Sequence, residues 1–333
     1  MDCIAVILAG GRGSRMALKC SKILSPICNK PILEYILDSI KNINFVRKFI
    51  VLGENKAEIQ PFLPNDIEIA IQPIPRGTGD AFACACKNFV DFDGKVLLLN
   101  GDGPIVPSST LTQIMSLNDA KMLIFTGFLP QNDNLGRIKR KNGRVIDIVE
   151  AKDCNPQDKK IMEKNLGIYC FDNKVLQKFI NKLDCNNSQN EYYVTDLVKL
   201  FAENHQKITT FTQNTGEFYI PSVNTLKELA ACQIIMQNYI NQNLLASKVN
   251  ILHPASTFVD SYSDISEYTT IYPNCFIERS KIGKNCIIYP NCVLKNAILS
   301  DNCIIGSNCV IEDSSVSSNI IPLSYIQENQ HKK

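Results

Sequence analysis

The sequence predicts an α/β fold with a doubly wound, mostly parallel sheet, followed by a long connector helix and a short β-helix of hexapeptide repeats. Two periodic patterns carry this prediction. Up to about residue 220, short apolar runs alternate with helical patterns, as expected for a parallel sheet covered by helices. Beyond residue 250, apolar residues recur every five or six positions, the spacing of short strands that turn a corner every six residues. We expect domains at 1–224 and 250–318, a connector helix at 225–248 and a polar tail at 319–333.

Apolar runs mark the predicted strands of the first domain. The first run covers residues 4–8, and the later ones read KFIVLG, EIAIQP, KVLLLNGD, KMLIFTGF and NLGIYCF. Two stretches between them, KPILEYILDSIKNI and TGDAFACACKNF, have the periodicity of helices. Open parallel sheets bind ligands beyond the carboxyl ends of their strands. We therefore expect the functional residues in the loops that follow these runs.

One long amphipathic pattern links the two regions. Thr225 and Glu228 have the spacing of a capping box, in which two side chains satisfy free backbone donors at the start of a helix. An apolar stripe follows at Leu229, Cys232, Met236, Tyr239 and Ile240. We therefore predict a single connector helix over 225–248.

The apolar positions of the last region follow a repeat of 17 residues. They are Ile265, Ile271, Ile277, Ile282, Ile288, Leu294, Leu299, Ile305, Ile311 and Val316. Steps of 6, 6 and 5 residues predict three-sided coils in which one side is shorter by a residue. Four residues after a repeat Ile or Leu stand Cys275, Cys286, Cys292, Cys303 and Cys309. Because Cys is a small hydrophobe, we interpret these thiols as core residues of tight coils rather than as a metal ladder.

The composition excludes two classes of partner. The chain has 333 residues, 45% of them apolar, and a net charge of +2. That length suffices for two globular domains, but the charge is too small for a surface that holds nucleic acid or membrane by bulk electrostatics. No apolar run reaches the ~18 residues of a membrane span, and no secretion signal precedes the first strand. We expect a cytoplasmic protein whose 14 Cys do not form a disulfide framework.

A glycine-rich loop, LAGGRGSRM, follows the first strand. Glycines let the backbone approach a ligand closely, and exposed N–H groups after a strand favour anions. The spacing excludes a dinucleotide fingerprint, which needs glycine where Met16 stands, and a P-loop, which needs a Gly-Lys pair. What remains is a backbone cradle followed by two cations, Arg15 and Lys22, an arrangement that suits a triphosphate. An ordinary strand-to-helix turn with solvated charges is the alternative interpretation.

Eight motifs in order carry a resemblance to a known family. They are LAGGRGSRM with Lys22, RGTGDA, NGDGP, LGRI, IVEAKD, NLGIY, EYYVTD and SVN. Over residues 4–317 the sequence resembles the sugar-1-phosphate nucleotidylyltransferases, and more closely the bacterial bifunctional UDP-N-acetylglucosamine pyrophosphorylases/glucosamine-1-phosphate acetyltransferases. The resemblance implies a nucleotidyltransferase-like Rossmann-type domain, a left-handed β-helix and a homotrimer formed through that β-helix. It also implies a Mg²⁺-dependent uridylyltransferase that makes UDP-N-acetylglucosamine, a cell wall precursor, and pyrophosphate from UTP and N-acetylglucosamine 1-phosphate.

The resemblance also assigns roles to individual residues. Arg15 is expected to bind the leaving pyrophosphate, and Lys22 to lie between the two phosphates. Asp102 and Asn224 are the expected Mg²⁺ ligands, since Mg²⁺ takes oxygen atoms from one or two protein groups and from phosphate. A turn aspartate and a helix-capping asparagine are the alternatives for these two. The implied nucleotide-binding residues are Leu8, Ala9, Gly10, Gly11, Gly13, Gln72, Gly77 and Thr78. The implied sugar-binding residues are Gly136, Glu150, Asn165 and Thr195.

The sequence departs from the family pattern at several motif positions. Asp80 stands where His usually follows Gly-Thr-Gly, and Gly103 stands where an apolar residue is common. The usual Tyr, Thr and Glu-Gly are replaced by Leu135, Leu166 and Pro221-Ser222. The last three departures border the expected sugar pocket. They leave two alternatives open, a nucleotidylyltransferase for another sugar 1-phosphate and a non-catalytic nucleotide-sugar-binding homologue.

The three histidines bear on the second activity of the family. His205, His253 and His331 all lie outside the repeats that run from residue 265 to 316. The family's acetyltransferase half uses a catalytic His within a longer β-helix. We therefore expect the acetyltransferase activity to be absent.

Overall fold

The computed structural model describes residues 2–11, 20–117, 119–129, 134–213 and 218–317, and the backbone of 325–327. The chain forms two compact units. The first comprises Met1–Ser25 and Ile32–Leu226, and the second comprises Pro26–Pro31 and Lys227–Lys333. Each unit is built around its own hydrophobic core.

The described residues of the first unit form a nine-stranded sheet. Its strands are β1 (Cys3–Leu8), β2 (Arg47–Leu52), β3 (Glu68–Ile71), β4 (Lys95–Asn100), β5 (Met122–Phe128), β6 (Arg137–Lys141), β7 (Arg144–Val149), β8 (Glu163–Asp172) and β9 (Ile208–Thr212). The main path runs β9-β5-β8-β4-β1-β2-β3, and β6 pairs with β8 and β7. Strands β4, β1, β2 and β3 run parallel to one another, and β5 runs parallel to β9. Strand β8 lies between β4 and β5 and is antiparallel to both. The predicted mostly parallel α/β fold is confirmed.

The central strands explain why the sequence shows continuous apolar runs. In β1, Ile4 and Val6 are at most 1% exposed, and in β4, Leu97 and Leu98 are fully buried. Adjacent residues of one strand point to opposite faces. Burial of neighbours such as Leu97 and Leu98 therefore means that both faces of the sheet are covered, which requires apolar residues at every position.

The described residues of the first unit form six α-helices. They are α1 (Ile32–Lys41), α2 (Lys56–Ile59), α3 (Thr78–Cys86), α4 (Ser108–Ser116), α5 (Asn173–Phe179) and α6 (Asp196–Glu203). Helices α1 and α3 are the two that the sequence pattern predicts. In α3, Phe82 is fully buried, and its ring centroid lies 5.4 Å from that of Phe171 on β8. Such contacts fix the helix on the sheet and so position the turn at its amino end.

A long helix, α7, spans Leu226–Ala246, close to the predicted 225–248. Its buried residues include Cys232 and Met236 of the predicted apolar stripe. Within the described ranges, no helix combines the length and the apolar composition that a membrane crossing requires.

The second unit contains three parallel sheets of very short strands. The first sheet comprises Asn250–Ile251, Thr270–Ile271, Ile287–Ile288 and Ile304–Ile305, and the second Phe258–Val259, Phe276–Glu278, Val293–Lys295, Val310–Glu312 and Tyr325–Gln327. The third comprises Asp264–Ile265, Lys281–Ile282, Ile298–Leu299 and Ser315–Val316. Paired residues such as Thr270 and Ile287, or Lys281 and Ile298, are 17 positions apart. The predicted repeat therefore forms the stacked coils of a left-handed β-helix, and residues 325–327 of the predicted tail add a strand to it.

The Asn-Cys pairs of the repeats are corner residues. Left-handed backbone, with φ between 57° and 63°, occurs at Asn274, Asn285, Asn291, Asn302 and Asn308, a conformation that Asn tolerates better than most residues. The Cys that follows each of these Asn is at most 2% exposed. The side-chain amides also bond from coil to coil, as between Asn274 and Asn291 at 3.2 Å. Each corner therefore needs a residue suited to positive φ followed by a small apolar one.

A two-stranded hairpin, Pro26–Ile27 with Lys30–Pro31, belongs to the second unit although it lies early in the sequence. Gln233 on α7 anchors it through both ends of its amide. Its Oε1 accepts from the Cys28 N–H at 2.6 Å, and its Nε2 donates to Pro26 O at 3.0 Å. The Ser261 N–H also donates to Cys28 O at 3.1 Å.

Candidate active site

The carboxyl ends of β1, β2 and β4 meet at one edge of the sheet in the first unit. Backbone hydrogen bonds hold the loops there, from Ala9 N–H to Val51 O at 2.9 Å and from Gly101 N–H to Leu8 O at 2.8 Å. Because parallel strands end at the same edge, loop residues far apart in the sequence come together.

A cavity of about 310 Å³, here called cavity A, opens at this edge. It is lined by Leu8, Ala9, Gly10, Gly11, Lys22, Ile23, Gln72, Pro75, Gly77, Thr78, Ala81, Asn100, Asp102 and Glu191. The structure thus brings together every described residue of the expected nucleotide-binding set, with Lys22 and Asp102 beside them. Gly13 and Arg15 lie outside the described residues.

The Lys22 ammonium lies between the two expected metal ligands. It donates to Asp102 Oδ2 and, at 3.0 Å, to Asn224 Oδ1. The side chains of Lys22 and Asp102 are 13% and 24% exposed, so water and salt screen this pair incompletely. Lys22 also begins a 3₁₀ turn, Lys22–Leu24, whose Ile23 is buried. The turn fixes the backbone from which the lysine extends.

Asn224 reaches Asp102 through long-range backbone pairing. Ile105 and Ile220 exchange two backbone hydrogen bonds, at 2.9 and 3.1 Å. Closer to the site, the Val223 N–H donates to Asp102 O at 3.0 Å. These bonds place the segment before α7 beside the end of β4, so two residues from distant parts of the chain face one point.

The donor set fits a magnesium ion. One cation can contact both oxygens, because the Lys22 ammonium already does so. A carboxylate oxygen and an amide oxygen are ligands of the kind that Mg²⁺ takes, and phosphate and water fill its remaining positions. A cation that contacted both oxygens would displace the Lys22 ammonium from them.

The turn Gly77-Thr78-Gly79 forms another wall of cavity A. Gly77 has φ +111°, and a Cβ there would lie 2.4 Å from Tyr192 O, so the position admits only glycine. The Gly79 N–H donates to the same carbonyl at 2.7 Å, and Thr78 Oγ1 accepts from the Val194 N–H at 3.1 Å. The EYYVTD motif therefore holds the turn in place through its backbone.

A second cavity, of about 200 Å³ and here called cavity B, adjoins the first. It is lined by Thr78, Asn100, Asp102, Asn134, Leu135, Gly136, Glu150, Asn165, Leu166, Gly167, Tyr169, Val194, Thr195, Ser222 and Asn224. All four expected sugar-binding residues line it. Thr78, Asn100 and Asp102 line both cavities, so the two cavities meet at the expected metal ligand.

Cavity B presents a carboxylate and a fixed amide. Thr195 Oγ1 donates to Glu150 Oε1 at 2.9 Å. Burial raises the pKa of the Glu150 carboxyl, and the hydrogen bond from Thr195 opposes that rise. Asn165 Nδ2 donates to the Tyr169 hydroxyl at 2.6 Å, while its Oδ1 accepts from the Gly167 N–H at 3.1 Å. Acceptors and donors held in this way suit the hydroxyl and amide groups of a sugar.

Comparisons with known proteins identify relatives of this chain. Residues 5–126 match the family described as the MobA-like NTP transferase domain. The chain is 32% identical over 289 residues to the bifunctional protein GlmU of Shouchella clausii, which covers 85% of this chain and 63% of that protein. It is 33% identical over 292 residues to the bifunctional protein GlmU of Clostridioides difficile, with 86% and 63% covered.

The chain is therefore related to the GlmU proteins. It spans about 63% of the length of the GlmU proteins that it matches. The resemblance to nucleotidyltransferases of the sugar-1-phosphate type is thereby confirmed. A solved structure described as a glucose-1-phosphate thymidylyltransferase from Bacillus anthracis superposes with a TM-score of 0.58 at 19% identity, over 70% of this chain and 94% of that one. At that identity, the likeness supports the fold alone.

Asn100 and Tyr169 are among the polar lining residues that the sequence motifs did not identify. Asn100 is the last residue of β4 and lines both cavities, and its place directly before Gly-Asp in the GlmU-family motif was an available signal. Tyr169 lies inside the apolar run NLGIYCF, where its hydroxyl could not be distinguished from core packing. It is 3% exposed, yet it lines cavity B.

Two departures from the GlmU-family motifs lie close together. Gly103 has φ +114°, and a Cβ at this position would lie 2.9 Å from the Cα of Ser222. The usual pattern has the larger residue at position 103 and glycine at 222, whereas this chain has glycine at 103 and serine at 222. Close packing of these two backbone segments, together with the positive φ, explains why position 103 is glycine in this chain.

Proposed function

We propose that the protein is a uridylyltransferase that makes UDP-N-acetylglucosamine and pyrophosphate from UTP and N-acetylglucosamine 1-phosphate. The junction of cavities A and B at Asp102 carries the proposal. Cavity A has the glycine loop, Gln72 and Lys22, which suit a nucleoside triphosphate. Cavity B has Glu150 and Asn165, which suit an amino sugar. Two adjoining cavities of this chemistry favour a reaction that joins a nucleotide to a sugar phosphate.

In the proposed reaction, an oxygen of the sugar phosphate attacks the α-phosphorus of UTP in line, and pyrophosphate leaves. Such chemistry depends on positioning and on cations that stabilise the developing negative charge. The backbone at Gly10 and Gly11 approaches the nucleotide phosphates closely because it lacks side chains. Lys22, once it leaves Asp102 and Asn224, donates its hydrogen bonds to the phosphates.

Asp102 and Asn224 are the residues that would hold Mg²⁺. When bound, this ion neutralises charge on the phosphate oxygens that it contacts. The carboxylate and the amide therefore act indirectly, by fixing where the positive charge is located.

A nucleotidylyltransferase for a different sugar 1-phosphate is the second candidate. Leu135 and Leu166 line cavity B, where the family usually has Tyr and Thr. The wall of cavity B thus lacks two hydroxyl groups, which suits a sugar phosphate with fewer polar groups on that side. The second candidate differs from the first in its sugar substrate and has the same nucleotide substrate.

Pyrophosphate release, measured for each common NTP with a panel of sugar 1-phosphates, tests the proposal. We expect the highest kcat/KM for UTP with N-acetylglucosamine 1-phosphate. Asp102→Ala should lower turnover roughly 10²-fold or more, the scale of removing a pre-placed electrostatic group. Asp66→Ala is the control, because Asp66 is 62% exposed and pairs only with Lys48 among the described residues.

The outcomes distinguish the candidates. Turnover in Asp102→Ala equal to that of the wild type at limiting Mg²⁺ would rule out the assigned site. A higher kcat/KM for another sugar 1-phosphate would favour the second candidate.

A further inference from the structure

The side-chain amide of Gln72 is held in one orientation by two acceptors. Its Nε2 donates to Gly77 O at 3.1 Å and to Asp80 Oδ2 at 2.8 Å. A carbonyl and a carboxylate oxygen can only accept hydrogen bonds, so turning the amide over would place its own oxygen against two others. Because Gln72 is only 5% exposed, water cannot readily relieve that clash. The amide therefore has a fixed donor end and a fixed acceptor end.

The acceptor end of this amide lies beside Gly10 in cavity A. Gln72 Oε1 is 3.2 Å from the point that a Cβ on Gly10 would occupy, so the missing side chain keeps the approach to this oxygen open. Both amide hydrogens are already used, and no donor among the described residues bonds to Oε1. A ligand in cavity A therefore meets Gln72 as a hydrogen-bond acceptor.

Asp80, which orients the amide, is itself fixed. Its Oδ1 accepts from Arg76 Nη2 at 2.6 Å. The Asp80 side chain is 10% exposed, whereas that of Arg76 is 56% exposed. Asp80 also lies in the first turn of α3, where the helix dipole stabilises a negative charge. One oxygen of the Asp80 carboxylate thus accepts from the exposed Arg76 guanidinium, and the other accepts from the buried Gln72 amide.

We propose that Asp80 is a positioning residue that sets the choice of base, because it holds Gln72 Oε1 toward the ligand and so selects uracil over cytosine. Uracil carries an N–H at position 3, which can donate to Oε1, whereas N3 of cytosine is itself an acceptor. Two buried acceptors facing each other both lose a hydrogen bond, and sites built around such a bond reject the mismatched ligand strongly. The inference rests on the proposed uridylyl transfer and names the residue behind its base preference.

Calorimetric Kd values for UTP and CTP, measured with Mg²⁺ and without sugar phosphate, test this role in the full-length protein. The Asp80→Asn side chain keeps the size of the original but can turn either an oxygen or an NH₂ group toward Gln72. Only Gly77 O then opposes reversal of the amide. We expect UTP binding to weaken about tenfold, as for one hydrogen bond to a charged group, and CTP binding to tighten. A collapsed pocket would instead weaken both.

Turnover provides a second readout of the same variant. Base contacts are made equally in the ground state and the transition state, so Asp80→Asn should raise the KM for UTP and leave kcat nearly unchanged. Asp80→Ala removes the acceptor outright and should show the same split, which keeps the test available if one variant folds poorly.

The Arg76→Ala variant distinguishes two roles of Asp80, which are to orient the Gln72 amide and to support the turn at the start of α3. It removes the ion pair but leaves Asp80 Oδ2 on Gln72, so the ratio of UTP to CTP affinity should stay within about twofold of the wild type. Equal weakening of UTP and CTP by Asp80→Asn would overturn the inference. So would the same loss of selectivity in Arg76→Ala, or a wild type that does not prefer UTP.

Failure of this inference can be distinguished from failure of the proposed function. A wild type that prefers UTP, loses the preference in Asp80→Asn and yet releases no pyrophosphate with any sugar 1-phosphate would support the role of Asp80 and defeat the proposed function. A wild type that transfers uridylyl groups while Asp80→Asn keeps the full preference would do the reverse.

Discussion

Replacing Lys22 with methionine should tighten the binding of divalent cations in the absence of nucleotide. Lys22 donates to Asp102 and Asn224, and a cation that takes these oxygens must break both bonds. A hydrogen bond to a charged group contributes about 1.5–3 kcal/mol, and the ion-paired side chains are only 13% and 24% exposed. If removing Lys22 spares the cation the cost of breaking one such bond, the Kd of the cation should fall roughly 10- to 100-fold, since about 1.4 kcal/mol of binding free energy changes Kd tenfold.

The same substitution should lower nucleotidyl transfer. Lys22 is then missing when negative charge shifts toward the leaving pyrophosphate, so kcat should fall more than the KM for UTP rises. A change in KM alone would make Lys22 a binding residue and contradict its assigned role.

Mn²⁺ is the probe for the binding measurement, because it prefers the same oxygen ligands as Mg²⁺ and its free concentration is read from its electron paramagnetic resonance. Lys48→Met is the matched control, since Lys48 is also 13% exposed and pairs with Asp66 at 2.7 Å. It should leave Mn²⁺ binding unchanged. Adding Asp102→Asn to Lys22→Met should remove the gain. Binding by Lys22→Met that is no tighter than that of the wild type would refute the competition.

Charge, acetyl transfer and assembly provide three further tests. Burial and the carboxylates of Asp147, Asp184 and Glu150 raise the pKa of Asp196 to about 6. Because the pKa of Asp196 in the folded state lies above the unfolded value of 3.8, the protonated carboxyl stabilises the fold at low pH. This contribution is lost as the pH rises from the unfolded value through about 6. Asp196→Asn should therefore raise the free energy of unfolding by about 1 kcal/mol at pH 8, after allowance for solvent screening, and by almost nothing at pH 3. Denaturant titrations that give equal gains at both pH values would contradict this. With acetyl-CoA and glucosamine 1-phosphate, the protein should release CoA no faster than a heat-denatured sample, because the repeats from residue 265 to 316 contain no His. Faster release would reveal an acetyl-transfer site built from other residues. In light scattering, the full chain should have the mass of a trimer, since packing three prisms buries apolar surface at ~25 cal/mol per Å². A chain ending at Lys248 should be an active monomer, because it keeps Gln233, which anchors the early hairpin. A full-length monomer at micromolar concentration would defeat the assembly claim.

The elements that could be predicted from the sequence are those with a local or strictly periodic pattern. In a stacked coil, each residue pairs with another at a fixed separation, so a repeat of 17 residues is visible without knowledge of the fold. Strands β1 and β4 are equally visible because burial on both faces requires continuous apolar runs. The antiparallel direction of β8 was not visible, since a strand buried on both faces has the same pattern in either direction.

The assembly of the site depends on contacts that leave no local pattern. Asp102 and Asn224 meet because Ile105 pairs with Ile220, and neither residue differs from ordinary core residues in the sequence. The link between Gln72 and Asp80 likewise depends on how the intervening turn folds back. The motifs identified most of the residues that line cavities A and B, whereas the positions of Gly13 and Arg15 stay predictions.

The early hairpin shows the same limit. Residues 26–31 are too few to have a period, and their partners Gln233 and Ser261 follow more than 200 positions later. A division of the chain by sequence alone therefore placed them within the first domain.

The most direct test of the proposed reaction follows the phosphorus atoms of both substrates by ³¹P nuclear magnetic resonance. The full-length protein is mixed with Mg²⁺, UTP and N-acetylglucosamine 1-phosphate. We expect the UTP and sugar phosphate signals to fall together while those of UDP-N-acetylglucosamine and pyrophosphate rise at the same rate. With Asp102→Ala, the same changes should be roughly 10²-fold slower or more. Consumption of UTP without consumption of the sugar phosphate, or no change with the wild-type protein, would contradict the proposed reaction.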